Sequence, residues 1–269
     1  MYPLLLHINH TLKEMTKIEW TNQTWNPITG CTKISEECRN CYAEGAARRL
    51  KAMNQHKYDN GFKLTLHPEC LDEPEKWKSP CMIFVCSMSD LFHKDVPFAF
   101  IDRVFDTIRV TPHHTYQVLT KRPERMQEYF ETRKVPHNVW IGVTIENKEV
   151  ISRIEILSQI RAETRFLSCE PLLDDLGQIP LDDIDWLIVG GESGNQARPM
   201  KEEWAVNLRE QARENGIPFF FKQWGTWGAD GIKRTKSKNG CLLQGEKIQQ
   251  WPQTAGAPEG PELQPASDA

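Results

Sequence analysis

The chain has 269 residues, enough for one large α/β domain or two small ones with a buried core that needs no disulfide bridges. Its 39% hydrophobic and 26% charged residues are typical of a water-soluble protein, and no apolar run approaches the ~18 residues of a membrane span. The net charge of −4 excludes a positive surface over the whole chain. A nucleic-acid partner would therefore need a local basic patch.

The two ends of the chain lack the patterns of folded elements. The segment MTKIEWT at Met15 looks like a second start, and the sequence predicts a flexible N-terminal extension over residues 1–16. Its short apolar stretch makes a poor signal peptide, because no basic region or small-residue cleavage site accompanies it, and we expect a cytoplasmic protein. Residues 227–269 form a C-terminal extension, whose last part, QQWPQTAGAPEGPELQPASDA, is rich in Pro, Gly, Ala and Gln. The extension is predicted to be disordered from about residue 252.

Between residues 17 and 226, short runs of β-branched and aromatic residues alternate with amphipathic segments. The runs are almost continuously apolar, as in parallel strands that are covered on both faces. They predict about seven βα units, with a first helix after Cys38. The predicted strands lie near 25–30 and at 82–87, 115–120, 139–144, 164–169, 185–191 and 217–223, and the other helices at 97–109, 123–133, 147–160 and 201–214.

Polar side chains follow nearly every predicted strand, as in CSMSDLFH, TKRPER, SCEPLL and GGESGN. The carboxyl ends of the strands converge on one face in a (β/α) barrel, whereas only those near the switch point meet in a doubly wound sheet. The sequence therefore favours an α/β fold with a complete or partial, TIM-like (β/α) barrel over residues 17–226.

Three cysteines lie close together after the first strand. Cys31, Cys38 and Cys41 have the spacing C-x6-C-x2-C, and thiolates are ligands of zinc and of iron–sulfur clusters. Structural zinc needs a fourth ligand, but the other cysteines and the histidines form no second C-x2-C or H-x3-H pair. Three ligands suit a metal site with an open coordination position, while structural zinc and three ordinary buried thiols are the alternatives.

Further candidate ligand residues follow the later strands. Gly190 and Gly191 would let a ligand approach the backbone, and Glu192 follows them as a hydrogen-bonding group. Glu146 and Glu170 are carboxylates at neighbouring strand ends that could bind ribose hydroxyls or an amino group. A tight turn or a helix cap is the alternative interpretation of these residues.

Two more strand ends carry candidates. Ser87 and Asp90 would contact the same ligand or cap the segment that follows them. Lys121 and Arg122 are candidates for binding an anionic substrate. The alternative interpretation is that they are ordinary charged residues on a solvated helix face. They would form a local basic patch for nucleic acid together with Arg39, Arg48, Arg49 and Arg125.

The segments EWTNQTWNPITGCTKISEECRNCYAE, FLSCEPLL, DWLIVGGESG and FFFKQWG together resemble a phage-associated and bacterial family of unknown function. That family carries a three-cysteine motif and is similar to the radical S-adenosylmethionine (SAM) proteins; the resemblance covers residues 17–226. It implies a (β/α) barrel whose first loop holds a [4Fe–4S] cluster through Cys31, Cys38 and Cys41, with SAM on the fourth iron. It also implies an electron donor, and cleavage of SAM that starts radical chemistry on an unknown substrate.

Two features depart from the pattern of the radical SAM proteins. Their usual spacing is C-x3-C-x2-C, and the first gap is longer here. Asn40 stands before the last cysteine, where an aromatic residue is usual, and Tyr42 follows that cysteine.

The predicted function is thus that of a radical SAM-type iron–sulfur enzyme. The alternative is a zinc-stabilised, non-catalytic module that binds nucleic acid or a partner protein in phage biology, and a fourth ligand such as Cys86, Cys169 or a histidine would distinguish it. The residues predicted to bind SAM are Ser87, Asp90, Glu146, Glu170, Gly190, Gly191 and Glu192.

Overall fold

The structure is a computed structural model that describes residue 16 and residues 18–253. The flexible extension predicted for residues 1–16 and the disordered tail predicted from about residue 252 lie almost entirely outside the described residues.

The described chain folds into eleven strands and six α-helices, arranged around one large parallel sheet. In chain order they are β1 Gln23–Trp25, β2 Ile28–Thr29, α1 Tyr42–Ala52, β3 Thr65–Leu66, β4 Met82–Val85, α2 Phe98–Val110, β5 Thr115–Thr120, α3 Pro123–Phe130, β6 Val139–Thr144, α4 Ser152–Ser158, β7 Thr164–Cys169, β8 Trp186–Gly190, α5 Glu202–Glu214, β9 Phe219–Gln223, α6 Lys236–Asn239, β10 Leu242–Leu243 and β11 Glu246–Lys247.

The large sheet has seven parallel strands in the order β1-β4-β5-β6-β7-β8-β9. The strands follow one another across the sheet in chain order, so the sheet has no switch point of the kind that defines a doubly wound fold. The molecule is a mixed α/β protein with a half-barrel sheet, which is compatible with a partial β/α barrel.

The start of the sheet differs from its prediction. The run near 25–30 was predicted as one strand, but β1 ends at Trp25, and β2 turns away to pair with β3 in an antiparallel hairpin. Pro27 lies between β1 and β2 and has no N–H for a sheet hydrogen bond. The Asn26 side chain instead accepts a hydrogen bond from the backbone N–H of Met88 at 2.9 Å.

Alternate residues of the strands supply two separate cores. One side of the sheet packs against the helices through residues such as Ile83 and Val85. The other side is filled largely by aromatic rings, which include Trp140, Phe166 and Trp186. Gly142 makes room for this aromatic layer, since a Cβ there would lie 2.6 Å from the Phe166 ring.

Part of the predicted C-terminal extension packs on the outer strand β9. The backbone N–H of Phe221 donates to the carbonyl of Ile248 at 2.7 Å, and that of Gln250 donates to Phe219 at 3.1 Å. Trp251 packs edge-on against Phe220, with ring centroids 4.9 Å apart. This segment covers hydrogen-bonding groups that an outer strand otherwise exposes. None of the helices in the described ranges has the length and apolar character to cross a membrane.

Candidate functional site

The cysteine loop leaves β2 at the carboxyl end of the parallel sheet. Gly30 begins it with φ of +78°, a left-handed conformation in which a Cβ would fall 2.2 Å from the carbonyl oxygen of Lys63. Only glycine fits this close approach of two backbones. The hairpin is also joined by a 2.8 Å hydrogen bond between Thr29 Oγ1 and His67 Nε2. Together these contacts fix the point from which Cys31 projects.

The three clustered cysteines are half-buried free thiols. Cys38 lies in a 3₁₀ turn over Glu36–Asn40, and Cys41 is the residue before α1. The Arg122 guanidinium points at Cys31, with Nη1 3.7 Å from the sulfur. Burial raises the pKa of the Cys31 thiol, and the nearby Asp90 carboxylate raises it further against the opposing effect of Arg122.

Lys121 and Arg122 follow β5 and stand among these thiols. Arg122 pairs with buried Asp90 at 2.7 Å, and Lys121 lies 3.5 Å from Glu37. Burial works against the charge of Lys121, but Glu37, Cys38, Asp90 and Cys41 outweigh it and raise its pKa. All three cysteines thus lie within electrostatic reach of one pair of cations.

The thiols are not drawn together into a ligand set. Over residues 18–253, no group of three or more His, Cys, Asp or Glu side chains is arranged to hold a metal ion. Cys86 and Cys169, two candidates for a fourth zinc ligand, are buried in the core between the sheet and the helices. The chemistry of the donors nevertheless fits an iron–sulfur cluster, since thiolate ligands are anionic and the adjacent cations supply the opposite charge.

Glu146 forms a buried carboxyl pair with Glu37 beside the cysteine loop. It is fully buried, pairs with Arg153 at 3.1 Å, and has an Oε1 atom that no donor group of the described residues reaches. Burial, then the hydrogen bond and charge of Glu37, raise the pKa of Glu146 to about 8. The pKa of Glu37 is lowered, because its hydrogen bonds to Glu146 and Ser35 and the charge of Lys121 outweigh burial. The pair therefore shares one proton at neutral pH.

Glu170 points into the aromatic side of the sheet and meets a partner from two strands away. Lys222 Nζ lies 2.6 Å from its Oε2, while the Trp20 indole N–H donates to Oε1 at 3.0 Å. Gly190 lies between them on β8, and a Cβ there would come within 3.4 Å of both Glu170 and Lys222. Sequence reasoning missed Lys222, although a lysine inside the apolar run FFFKQ was a usable signal.

Glu192 joins β8 to the cysteine loop. It accepts two bonds from the Arg198 guanidinium, at 2.8 and 3.0 Å, and one from the Asn40 amide at 3.2 Å. Gly191 packs against the backbone just after β9, since a Cβ there would fall 2.0 Å from the carbonyl oxygen of Trp224. Close backbone packing thus explains this glycine without a ligand.

Ser87 and Asp90 hold the segment after β4. Ser87 Oγ exchanges hydrogen bonds with the Asn26 side chain. Asp90 accepts from Thr120 Oγ1 at 2.7 Å and from the backbone N–H of Phe92 at 3.0 Å, besides its ion pair with Arg122.

The predicted basic patch divides into two parts. Lys121 and Arg122 are paired with carboxylates as described above, and Arg125 donates to the carbonyl of Val96. Arg48 and Arg49 on α1 are exposed, and neither has an ion-pair partner among the residues that the structure describes.

Fold and site together define an α/β protein with a seven-stranded half-barrel sheet and a three-cysteine loop at the carboxyl ends of its strands. The chain belongs to a family described as protein of unknown function (DUF5131), whose model matches residues 15–252. This range includes the C-terminal segment that packs on β9. Comparisons with curated proteins and with solved structures found no match, and no comparison links the chain to radical SAM proteins.

Proposed function

We propose that this protein is an iron–sulfur enzyme of radical SAM type, in which Cys31, Cys38 and Cys41 hold a [4Fe–4S] cluster. The observation that carries the proposal is the position of these thiols: all are half-buried, on one loop, beside Lys121 and Arg122. Three cysteine ligands leave one position of such a cluster open for a further ligand.

The residues of the chain would hold and orient the reactants. When bound, a reduced cluster supplies the electron for the cleavage of SAM. Lys121 and Arg122 would offset the negative charge of the thiolates. The carboxylate of Glu170 and the ammonium group of Lys222 would bind the oppositely charged groups in the amino-acid part of SAM. Gly190 has no side chain beside this pair, and the buried Glu146 keeps a proton next to the cysteine loop.

The other residues predicted to bind SAM have supporting parts in this proposal. Asp90 holds Arg122 next to Cys31. Glu192 binds Arg198 and also accepts a hydrogen bond from Asn40, which ties the cysteine loop to the segment after β8. Ser87 and Gly191 shape the segments after β4 and β8, which border the site.

Anaerobic reconstitution with iron and sulfide, followed by metal analysis, tests the cluster. We expect bound iron and sulfide in equal amounts, and their loss after Cys31→Ser, Cys38→Ser or Cys41→Ser, because a hydroxyl is a poor iron ligand. Cys241→Ser is the matched control, since this thiol is also half-buried. Stoichiometric zinc without iron, or a fourth side chain as necessary as the three, would favour the zinc-stabilised binding module instead.

Incubation of the reduced, reconstituted protein with SAM tests the second half of the proposal. We expect 5′-deoxyadenosine from the parent protein and none from Cys38→Ser. A full cluster that yields no 5′-deoxyadenosine with any reductant would overturn the enzymatic proposal and leave an iron–sulfur protein.

A further inference from the structure

Helix α1, which follows the cysteine loop, carries exposed basic side chains in its last two turns. It begins at Tyr42, one residue after Cys41, and its side chains Arg48, Arg49 and Lys51 are exposed. Lys51 extends to the neighbouring turn, where its Cδ lies 3.9 Å from the position that a Cβ would take at Gly61. Lys63, also exposed, stands two residues further along this turn.

The charges of these four cations are not compensated. None of them has a carboxylate within ion-pair distance in the described part of the chain, whereas nearby Glu44 is paired with Lys33 at 2.9 Å. The protein as a whole has a net charge of −4. A local positive surface on an acidic protein fits a ligand with several negative charges along its length.

Tyr42 adds an exposed aromatic ring at the start of the same helix. It is 60% exposed, yet its hydroxyl donates a 2.5 Å hydrogen bond to the carbonyl of Ser87, which fixes the orientation of the ring. Burial of this hydroxyl raises its pKa, and the nearby Cys41 and Glu170 add to the effect. A fixed ring at the rim of a site is a surface on which a nucleobase can stack.

We propose that Tyr42, Arg48, Arg49, Lys51 and Lys63 form a binding surface for single-stranded nucleic acid. Phosphates lie along the four cations, and one base stacks on Tyr42 at the entrance to the cysteine site. The assignment of this nucleic acid as the substrate rests on the proposed function, but binding itself requires neither cluster nor SAM. An acidic protein would use the cations alone, whereas the exposed ring favours a ligand with bases.

The salt dependence of binding tests the surface. Fluorescence anisotropy with a labelled mixed-sequence oligonucleotide would be measured on the full chain as isolated. Four phosphate contacts predict that affinity falls about 50-fold between about 50 and 200 mM salt, from the slope of about −0.7 per contact for single strands. The triple variant Arg48→Ala/Arg49→Ala/Lys51→Ala leaves one contact and predicts a fall of only about three-fold.

A second triple variant is matched in charge. Lys134, Arg161 and Lys247 are exposed and have no ion-pair partner in residues 18–253; Lys134 and Arg161 precede β6 and β7, away from the carboxyl ends. Their joint replacement by alanine should keep the parent's affinity and salt dependence. Equal behaviour of the two triple variants, or no binding at the lower salt concentration, would overturn the proposal.

The ring and the class of ligand are tested separately. Tyr42→Leu should lower the affinity for the oligonucleotide about five-fold or more, whereas Tyr42→Phe keeps the stacking surface and most of the affinity. Polyglutamate of similar length should bind weakly. If polyglutamate competes as well as the oligonucleotide and Tyr42→Leu has no effect, the surface binds acidic proteins and the proposal is wrong. A protein that binds the oligonucleotide but never acquires iron would instead refute the proposed function alone.

Discussion

Replacement of Lys222 by methionine removes one half of the ion pair inside the sheet. The two side chains are 18% and 12% exposed, and Lys222 Nζ lies 2.6 Å from Glu170. Burial disfavours the charge of Lys222, but Glu170 and Glu19 outweigh it and raise its pKa, so Lys222 is charged at neutral pH. Methionine fills a similar volume, so the main consequence is a buried carboxylate without its cation.

Loss of one partner of a buried ion pair costs about 3–5 kcal/mol. Glu170 keeps hydrogen bonds from Trp20 at 3.0 Å and from Ser168 at 3.3 Å, which places the expected loss near the lower limit, about 3 kcal/mol. For a chain of this size that corresponds to a fall in Tm of about 6–12 °C. Urea and thermal unfolding followed by circular dichroism would measure both quantities.

Two further variants separate the charge from the change of side chain. Glu170→Gln combined with Lys222→Met leaves no unpaired charge, so the double variant should be more stable than Lys222→Met alone. Lys134→Met, at an exposed position, should change stability by no more than about 0.5 kcal/mol. If Lys222→Met is as stable as Lys134→Met, the buried pair does not stabilise the fold and the reasoning fails.

Two other predictions concern stability. The pKa of Glu146, raised to about 8, means that the native state keeps a proton which the unfolded chain loses near its ordinary pKa of about 4.3. Stability should therefore fall as pH rises from about 5 to 8, and Glu146→Gln should flatten this dependence in urea unfolding; an unchanged slope would contradict the shared proton. Gly191→Ala should destabilise the fold by about 2 kcal/mol or more, since its Cβ would fall 2.0 Å from the Trp224 carbonyl oxygen. Gly45→Ala is the control: its new Cβ meets only Arg49 at 3.8 Å and should stabilise α1 by about 0.5–1 kcal/mol. If Gly191→Ala lowers the free energy of unfolding by less than Gly45→Ala changes it, the packing argument is wrong.

The central strands could be predicted from the sequence because both of their faces are buried. The predicted runs 115–120, 139–144 and 164–169 coincide with β5, β6 and β7. A parallel strand between two cores needs apolar residues on both faces, so it leaves a continuous signal.

Connections were less predictable, since local hydrogen bonds decide them. The helix predicted at 147–160 is shorter, because the Asn147 side chain accepts from the backbone N–H of Glu149 and begins a 3₁₀ turn before α4. Residues 170–185, all described, connect β7 to β8 without any helix.

The sequence could predict which strand ends carry polar side chains, but it could not predict the partners of those side chains. Polar strand ends predicted a site at the carboxyl ends of the strands, where Glu146 and Glu170 lie. Which cation meets which carboxylate depends on the order of strands and on side chains far apart in the chain, as in the pairing of Glu170 with Lys222. No local spacing encodes such a contact.

The position of the cysteine loop depends on polar contacts more than on apolar packing. Few residues of the segment 31–40 are buried, and polar contacts hold it from two directions: Lys121 and Arg122 after β5, and Glu192 with Arg198 after β8. Such contacts exchange partners at lower cost than a packed core does. The loop can therefore shift relative to the sheet while the two cores of the sheet stay intact.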